Sequence, residues 1–424
     1  MARKMKDSGI EWIGEIPEGW EVGQIGQLYS ERRTKVSDKD YPPLSVTMKG
    51  ILPQLSTAAK TDAHDDRKLV CKGDFAINSR SDRRGSCGIS EQDGSISLIN
   101  TVLQPRGEMN PGYYNWLFHT SMFADEFYKW GHGIVDDLWT TGWSDMKKIG
   151  VPVPSKCEQK QLAEHLNFEC SHIDSILSKT RASIEEYKKL KQAVITQAVT
   201  KGVRGERKMK DSKVDYIGQI PDEWVLCKLR NIGDAQNGIS KASEFFGKGT
   251  PFVSYSDVYK NYSLPFSVSG LVESTPEEQE RYSVKEGDVF FTRTSETIEE
   301  VGFSCVCEKD IPNATFAGFL IRVRPFSDKL HTPYAKYYFR SSHLRFYLVK
   351  EMNLVTRASL GQSLLKSMPV LLPPLEEQKE IADYLDAKCA EIDRLIAKKE
   401  QLVKELESYK KSLIYEVVTG KREV

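Results

Sequence analysis

Two stretches decide the fold: EQKQLAEHLNFECSHIDSIL, Glu158–Leu177, and EQKEIADYLDAKCAEIDRLI, Glu377–Ile396. They align at a constant offset of 219 residues. The apolar positions of the first copy and its continuation are Leu162, Leu166, Cys170, Ile173, Leu177, Ile184, Tyr187, Val194 and Ala198. Their counterparts are Ile381, Leu385, Cys389, Ile392, Ile396, Val403, Leu406, Leu413 and Val417. Steps of three and four describe one face of an α-helix. No proline or glycine interrupts Glu158–Lys201 or Glu377–Thr419, so each stretch predicts one helix of about 40 residues, about 60 Å long. A single apolar stripe needs a partner. The simplest one is the other copy, packed as a coiled coil. Thr180 and Lys399 share one matched seam position.

A second repeat precedes each helix. MKDSGIEWIGEIPEGW, Met5–Trp20, returns as MKDSKVDYIGQIPDEW, Met209–Trp224. The chain is therefore a tandem duplication of lead-in peptide, globular region and long helix. The shift from an offset of 204 to one of 219 means that the content between the repeated parts has diverged. In the first globular region Leu44–Met48 and Asp74–Asn78 predict strands, with Lys72-Gly73-Asp74 as a turn. Tyr113–Trp130 is aromatic with helical spacing. The second region offers Phe252–Ser256, the run VFFTR after Gly287-Asp288, and Pro333–Val349. Each region leaves through a short extended segment, Ile149–Pro154 or Met368–Pro374, whose prolines deliver the chain to its helix.

The expected class is α+β: two similar α/β globular domains separated by two long helices in an antiparallel coiled coil, a pseudo-two-fold tandem repeat. The expected boundaries are 1–154, 155–204, 205–373 and 374–424. Connectivity places the globular regions toward opposite ends of the helical rod.

With 60 basic and 60 acidic residues the net charge is zero, so bulk charge does not argue for a polyanion partner. No apolar run is long enough to span a bilayer, and MARKMKDSG lacks the core of a signal peptide. Eight scattered cysteines with no CxxC pair read as buried free thiols of a cytoplasmic protein. No GxGxxG, GxxxxGK[ST] or HExxH occurs. Asn110-Pro111-Gly112-Tyr113 is one residue from an amino-methyltransferase signature but has no glycine-rich cofactor loop, and reads as a turn. Glu158/Lys160 and Glu377/Lys379 match the end of a nuclease motif without its Asp, and read as solvated helix charges. His165 and His172 lie about 10 Å apart along a helix, too far to share a metal. No catalytic or metal-ligating set is expected.

What remains is polar and basic. Asn78-Ser79-Arg80-Ser81-Asp82-Arg83-Arg84-Gly85 follows a predicted strand, and Arg293-Thr294 follows its counterpart. Arginine beside Asn, Ser or Thr on a loop suits base-edge and phosphate contact. Asn78, Arg80, Arg83, Arg84, Arg293 and Thr294 are therefore DNA-contact candidates. Arg32, Arg33 and Lys35 form another cluster, with Lys241, Lys248 and Lys260 (beside Asn261 and Tyr262) as second-region equivalents. His132, Thr140, Thr141, Trp143, Thr356 and Arg357 lie before the domain exits, where they can join the same surface.

The lead-in peptide KDSGIEWIGEIPEGW, its second copy, and PPLEEQKEIADYLDAKCAEID carry a resemblance to the specificity subunits of Type I restriction–modification systems. It covers the full length. The resemblance implies that each globular region is a target recognition domain reading one half of a bipartite DNA site in the major groove. It implies that the helices set the gap between half-sites. The implied partners are double-stranded DNA, two methyltransferase subunits that bind S-adenosylmethionine, and two motor–nuclease subunits. This chain itself is implied to be non-catalytic, to hold no cofactor, and to be cytoplasmic. The near-neutral charge implies that the partners supply much of the phosphate contact.

Two other readings follow from the residues. A coiled-coil adaptor with two protein-binding heads would use exposed aromatics around Tyr113–Trp130 as an apolar patch. A free-standing methyltransferase would need motifs this chain lacks.

Overall fold

The long helices run further than their apolar repeat. In the computed structural model they span Lys156–Lys201 and Leu375–Val418. The structure describes residues 3–54, 65–80, 83–107, 109–133, 139–295, 301–351 and 358–424. Ser155 starts the first helix as a capping box: its Oγ accepts from Glu158 N, and Glu158 Oε2 accepts from Ser155 N. Gly202 and Gly420 end the two helices at φ of +78° and +72°, the left-handed conformation that closes a helix.

The chain divides into two compact units, Met1–Arg181 with Glu400–Val424, and Ala182–Lys399. In the first, Leu162, Leu166, Cys170, Ile173 and Leu177 are buried in one core with Leu413 and Val417, and Val403 packs against it half-buried. Asp174 pairs with Lys410 at 2.6 Å, and Arg181 pairs with Glu407. Rising numbers on one helix meet falling numbers on the other, so the pairing is antiparallel. The second unit repeats it: Ala198 and Val199 share a core with Ile381, Leu385 and Cys389, and Lys191 meets Asp393 at 2.6 Å. Ile184 and Ile392 are buried and Ile396 half-buried. At the mixed seam position Thr180 is buried, while Lys399 sends its ammonium 5.7 Å from the Tyr187 ring centroid.

Each unit holds a four-stranded antiparallel sheet of the same order. In the first, Cys87–Ile89, Phe75–Asn78, Asn100–Pro105 and Tyr29–Glu31 lie side by side. In the second, Ser304–Val306, Val289–Thr292, Leu320–Pro325 and Gly233–Asn237 do so. Leu44–Thr47 is a strand as expected. Phe252–Ser256 is not one strand: the strand is Phe246–Val253, and Ser254 caps the helix Tyr255–Lys260. The aromatic segments each break in two, at Pro111–Phe118 with Ser121–Lys129 and at Thr332–Tyr338 with Ser342–Glu351. Thr120 makes the first break, since its Oγ1 accepts from Phe123 N and so starts a new helix. Asn110 is likewise a helix cap rather than a simple turn, accepting from Gly112 N and Tyr113 N.

Most aromatics of these helices face inward, while Phe346 is exposed and Trp116 and Tyr128 are half-buried. Tyr113, Tyr114, Phe118, Phe123 and Phe127 are buried, as are Tyr334 and Tyr338. The patch required by the adaptor reading is thus core. Tyr113 donates to Val418 O at 2.7 Å, tying its helix to the end of the second long helix.

The solvated-charge reading of the two glutamates is also overturned. Glu377 has no exposed surface. Its Oε2 accepts from Trp224 Nε1 at 3.0 Å, and its Oε1 lies 2.6 Å from Arg207 Nη2. Glu158 takes the same place in the first unit, bound by Trp20 Nε1 and paired with Arg3. Each arginine also stands 5.4 Å from its tryptophan's ring centroid. A buried indole N–H needs an acceptor, and the helix supplies one. The next residues, Gln159 and Gln378, accept from Asn110 N and His331 N respectively. The repeated Glu-Gln is therefore a socket for the lead-in peptide and the globular region. All eight cysteines are free. Cys157 is exposed, and Cys71 and Cys227 are half-buried, so the expectation of buried thiols holds for the other five.

Among the described residues no helix is long and apolar enough to cross a membrane.

Candidate nucleic-acid interface

The loop after strand Phe75–Asn78 is held by two other segments. Ser79 N donates to Ile99 O at 3.2 Å, and Thr141 N donates to Ser79 O at 3.0 Å. Arg80 forms an antiparallel bridge with Thr140, which also bridges His132. The second domain builds the same crossing from different residues. Arg293 N donates to Phe319 O at 2.9 Å, and Leu360 N donates to Arg293 O at 2.7 Å. Thr294 pairs with Ser359. The segment entering from the exit side then begins a short helix in both domains, capped by Gly142 or Gly361. No equivalent position keeps its residue: Ser79 and Arg293, Arg80 and Thr294, Thr141 and Leu360 differ in chemistry, while Ile99 and Phe319 are both apolar and Thr140 and Ser359 both carry a hydroxyl. A constant frame thus carries variable side chains.

The candidates fare unequally on this frame. Arg80 and Thr140 are exposed, and Arg293 and Thr294 are half-exposed. Arg83 and Arg84 are exposed on the same loop. The Arg84 guanidinium stacks 3.7 Å from the Tyr128 ring centroid and meets Asp125 at 3.2 Å. Tyr128 in turn lies against Trp139, whose Nε1 donates to Tyr128 O at 2.9 Å. Asn78 is buried and its Oδ1 accepts from Arg80 N, shaping the loop from below. Thr141 is buried and donates to Phe127 O, so its role is to anchor the segment that carries Thr140. Ser81, Asp82, Thr356 and Arg357 lie outside the described residues.

Arg32 is committed elsewhere. Its Nε and Nη2 donate to Asp74 at 2.6 and 3.2 Å, and Asp74 also accepts from Cys71 N. That hydrogen bond raises the arginine's pKa. The second domain matches this with Arg324 on the buried Asp288. Arg33 pairs with Glu31, Lys35 with Asp66, Lys241 with Glu278 and Lys248 with Glu273. Lys260 is exposed in the last turn of its short helix. No group of three His, Cys, Asp or Glu among the described residues is placed to hold a metal.

Residues 221–406 match the model of the Type I restriction modification DNA specificity domain. The chain is 26% identical to the MjaVIII specificity subunit of Methanocaldococcus jannaschii, over 96% of this chain and 93% of that one. It is 26% identical to the EcoKI specificity subunit of Escherichia coli K12, over 90% and 84%. Along nearly its whole length the chain is thus similar to the specificity subunits of Type I restriction–modification systems. Solved structures share the fold. One, of the type I R-M system, superposes with a TM-score of 0.75 at 15% identity, covering 96% of this chain and 99% of the other. The HsdS subunit from Thermoanaerobacter tengcongensis gives 0.54 at 17% identity, covering 96% and 98%.

The matching family model is of a DNA specificity domain, and the crossing is a part of each domain where the backbone repeats and the side chains differ. The sequence reading found the loop but missed Tyr128, Trp139, Ile99 and Phe319. The first two come from other segments and meet the loop only in three dimensions. The last two were legible only as large apolar residues just before a strand.

Proposed function

We propose that this chain reads a bipartite DNA site, one half with each globular domain, and that the paired long helices set the gap between the halves. The observation that carries this reading is the duplicated crossing: one backbone frame, built twice, bearing two different sets of side chains. A frame that repeats while its side chains diverge suits two readers of different sequences. Exposed Arg80 and Arg84 and half-exposed Arg293 bring the bidentate donors that pair with guanine in the major groove. Thr140, Thr294 and Ser359 supply smaller polar contacts. Two methyltransferase subunits, which bring S-adenosylmethionine, dock on the scaffold, and two motor–nuclease subunits complete the restriction assembly. This chain contributes recognition and no chemical step. Its zero net charge supports weak DNA binding alone and tight binding in the complex, where partners add phosphate contacts.

Co-expression with the cognate methyltransferase subunit, followed by mapping of methylated adenines, tests the reading. The expected result is one motif with two defined halves and a fixed gap. A continuous motif, or a stable complex that methylates without sequence preference, overturns it. So does tight, salt-resistant specific binding by the isolated chain, for the affinity argument.

A further inference from the structure

The two crossings share one further feature. In each, the strand that runs through the sheet centre is preceded by a tight turn of the same form. Asn100 N donates to Ser97 O at 3.1 Å, and Leu320 N donates to Ala317 O at 2.9 Å. The turns are therefore Ser97–Asn100 and Ala317–Leu320, and their third residues are Ile99 and Phe319. The carbonyl of each third residue accepts from the reading loop, from Ser79 N or Arg293 N. The side chain of each is solvent-exposed, Ile99 at 37% and Phe319 at 64%. Leu98, next to Ile99, is exposed as well.

Single exposed apolar residues are ordinary on protein surfaces. These two differ because they occupy the same backbone position in two domains whose neighbouring side chains have otherwise diverged. The sheet around them is filled: Val102, Leu103, Ile321 and Val323 are fully or almost fully buried. Neither exposed side chain belongs to a buried core cluster of its domain. Each is tied by a turn bond on one side and by the loop bond through its own carbonyl, beside Arg293 in one domain and beside Ser79, the neighbour of Arg80, in the other.

Resting on the proposed function, we propose that Phe319 and Ile99 are specificity-determining residues, each making apolar contact with a thymine 5-methyl group in its half-site. In the major groove the methyl is the one apolar group a base pair presents, and it marks A·T pairs in a way that no donor or acceptor does. An aliphatic or aromatic side chain fixed beside Arg293 or the Arg80 loop fits that contact. Bases read by the arginines and by the apolar residue would then be neighbours.

The test uses the full methyltransferase complex. Once the bipartite motif is mapped, each thymine in the second half-site, on either strand, is replaced singly by deoxyuracil, and methylation rate and duplex binding are measured. One position is expected to lose about fourfold with the wild-type complex, the value of burying one methyl-sized group. The Phe319→Ala complex should lose the same factor on the thymine duplex and nothing more on the deoxyuracil duplex, since the contact is removed only once. Phe319→Leu should recover part of it. Ile99→Ala should act on the first half-site alone. Equal methyl sensitivity in wild-type and Phe319→Ala complexes overturns the inference, as does a second half-site without thymine. A wild-type complex with no bipartite motif instead overturns the proposed function.

Discussion

Removal of the Glu377 carboxylate should loosen the base of the second domain far more than removal of Glu158 loosens the first. Each glutamate holds one tryptophan and one arginine in the same way, but their surroundings differ. Glu377 is fully buried and Arg207 has 13% of its side chain exposed, whereas Glu158 and Arg3 have 32% and 31%. Glu377→Ala leaves Arg207, nearly buried, with only the half-exposed Glu223 and the Lys201 carbonyl as partners, and strips the acceptor from Trp224. Losing one partner of a buried pair costs about 3–5 kcal/mol. Glu158→Ala forfeits a half-solvated pair and one hydrogen bond, about 1–2 kcal/mol together. Native-state hydrogen exchange reads each site locally. Protection across Gln219–Lys228 should fall by roughly two to three orders of magnitude in Glu377→Ala, and across Glu15–Gln24 by roughly tenfold in Glu158→Ala. Glu377→Gln keeps an acceptor for Trp224 but not the charge for Arg207, and should fall between. Equal losses at the two sites, or none in Glu377→Ala, would refute burial as the source of the difference.

Other outcomes follow from the same geometry. Inserting one helical turn into each long helix adds about 5 Å along the pair and should lengthen the gap of the methylated motif by one or two base pairs; altered half-site bases would contradict a ruler. Arg293→Ala should relax one position of the second half-site by about 1–3 kcal/mol and Arg80→Ala one of the first, read as degeneracy in the methylation motif. Arg32→Ala should instead lower thermal stability with the motif intact, because Asp74 loses its bidentate partner. Burial pushes the His343 imidazole down to about 4. Its folded pKa lies below the unfolded value near 6.5, so the unfolded chain takes up the proton first. The associated stability is present above about pH 6.5 and is lost as pH falls toward 4, by on the order of 3 kcal/mol. In His343→Leu, denaturant titrations over that window should show a correspondingly shallower pH dependence.

The helices were the most legible part of the chain because their signal is periodic and local. Leu162 to Leu177 and Ile381 to Ile396 announce one face each, and duplication announces that the faces match. The paired strands Phe75–Asn78 and Val289–Thr292 were legible for the same reason, as apolar runs after a Gly-Asp turn. The aromatic segments misled. Tyr113, Tyr114 and Phe118 were readable as a helix face, but whether that face meets solvent or a sheet is decided by what packs on it. Arg32 was legible only as a basic residue in a cluster, because its partner Asp74 lies 42 residues away.

By itself, then, the sequence determined the tandem plan, the two helices, the family resemblance and the loop that carries Arg80 or Arg293. Only the tertiary structure decided which polar residues are spent inside the protein. It placed Glu377 under Trp224 and Arg207, closed Arg32 on Asp74, and anchored Thr141 to Phe127 O. It also brought Ile99 and Phe319 to the loops of Ser79 and Arg293 through backbone bonds that leave no trace in residue type. Periodicity is a property of neighbours along the chain, whereas charge pairing and loop crossing join residues distant in sequence, and only packing brings those together.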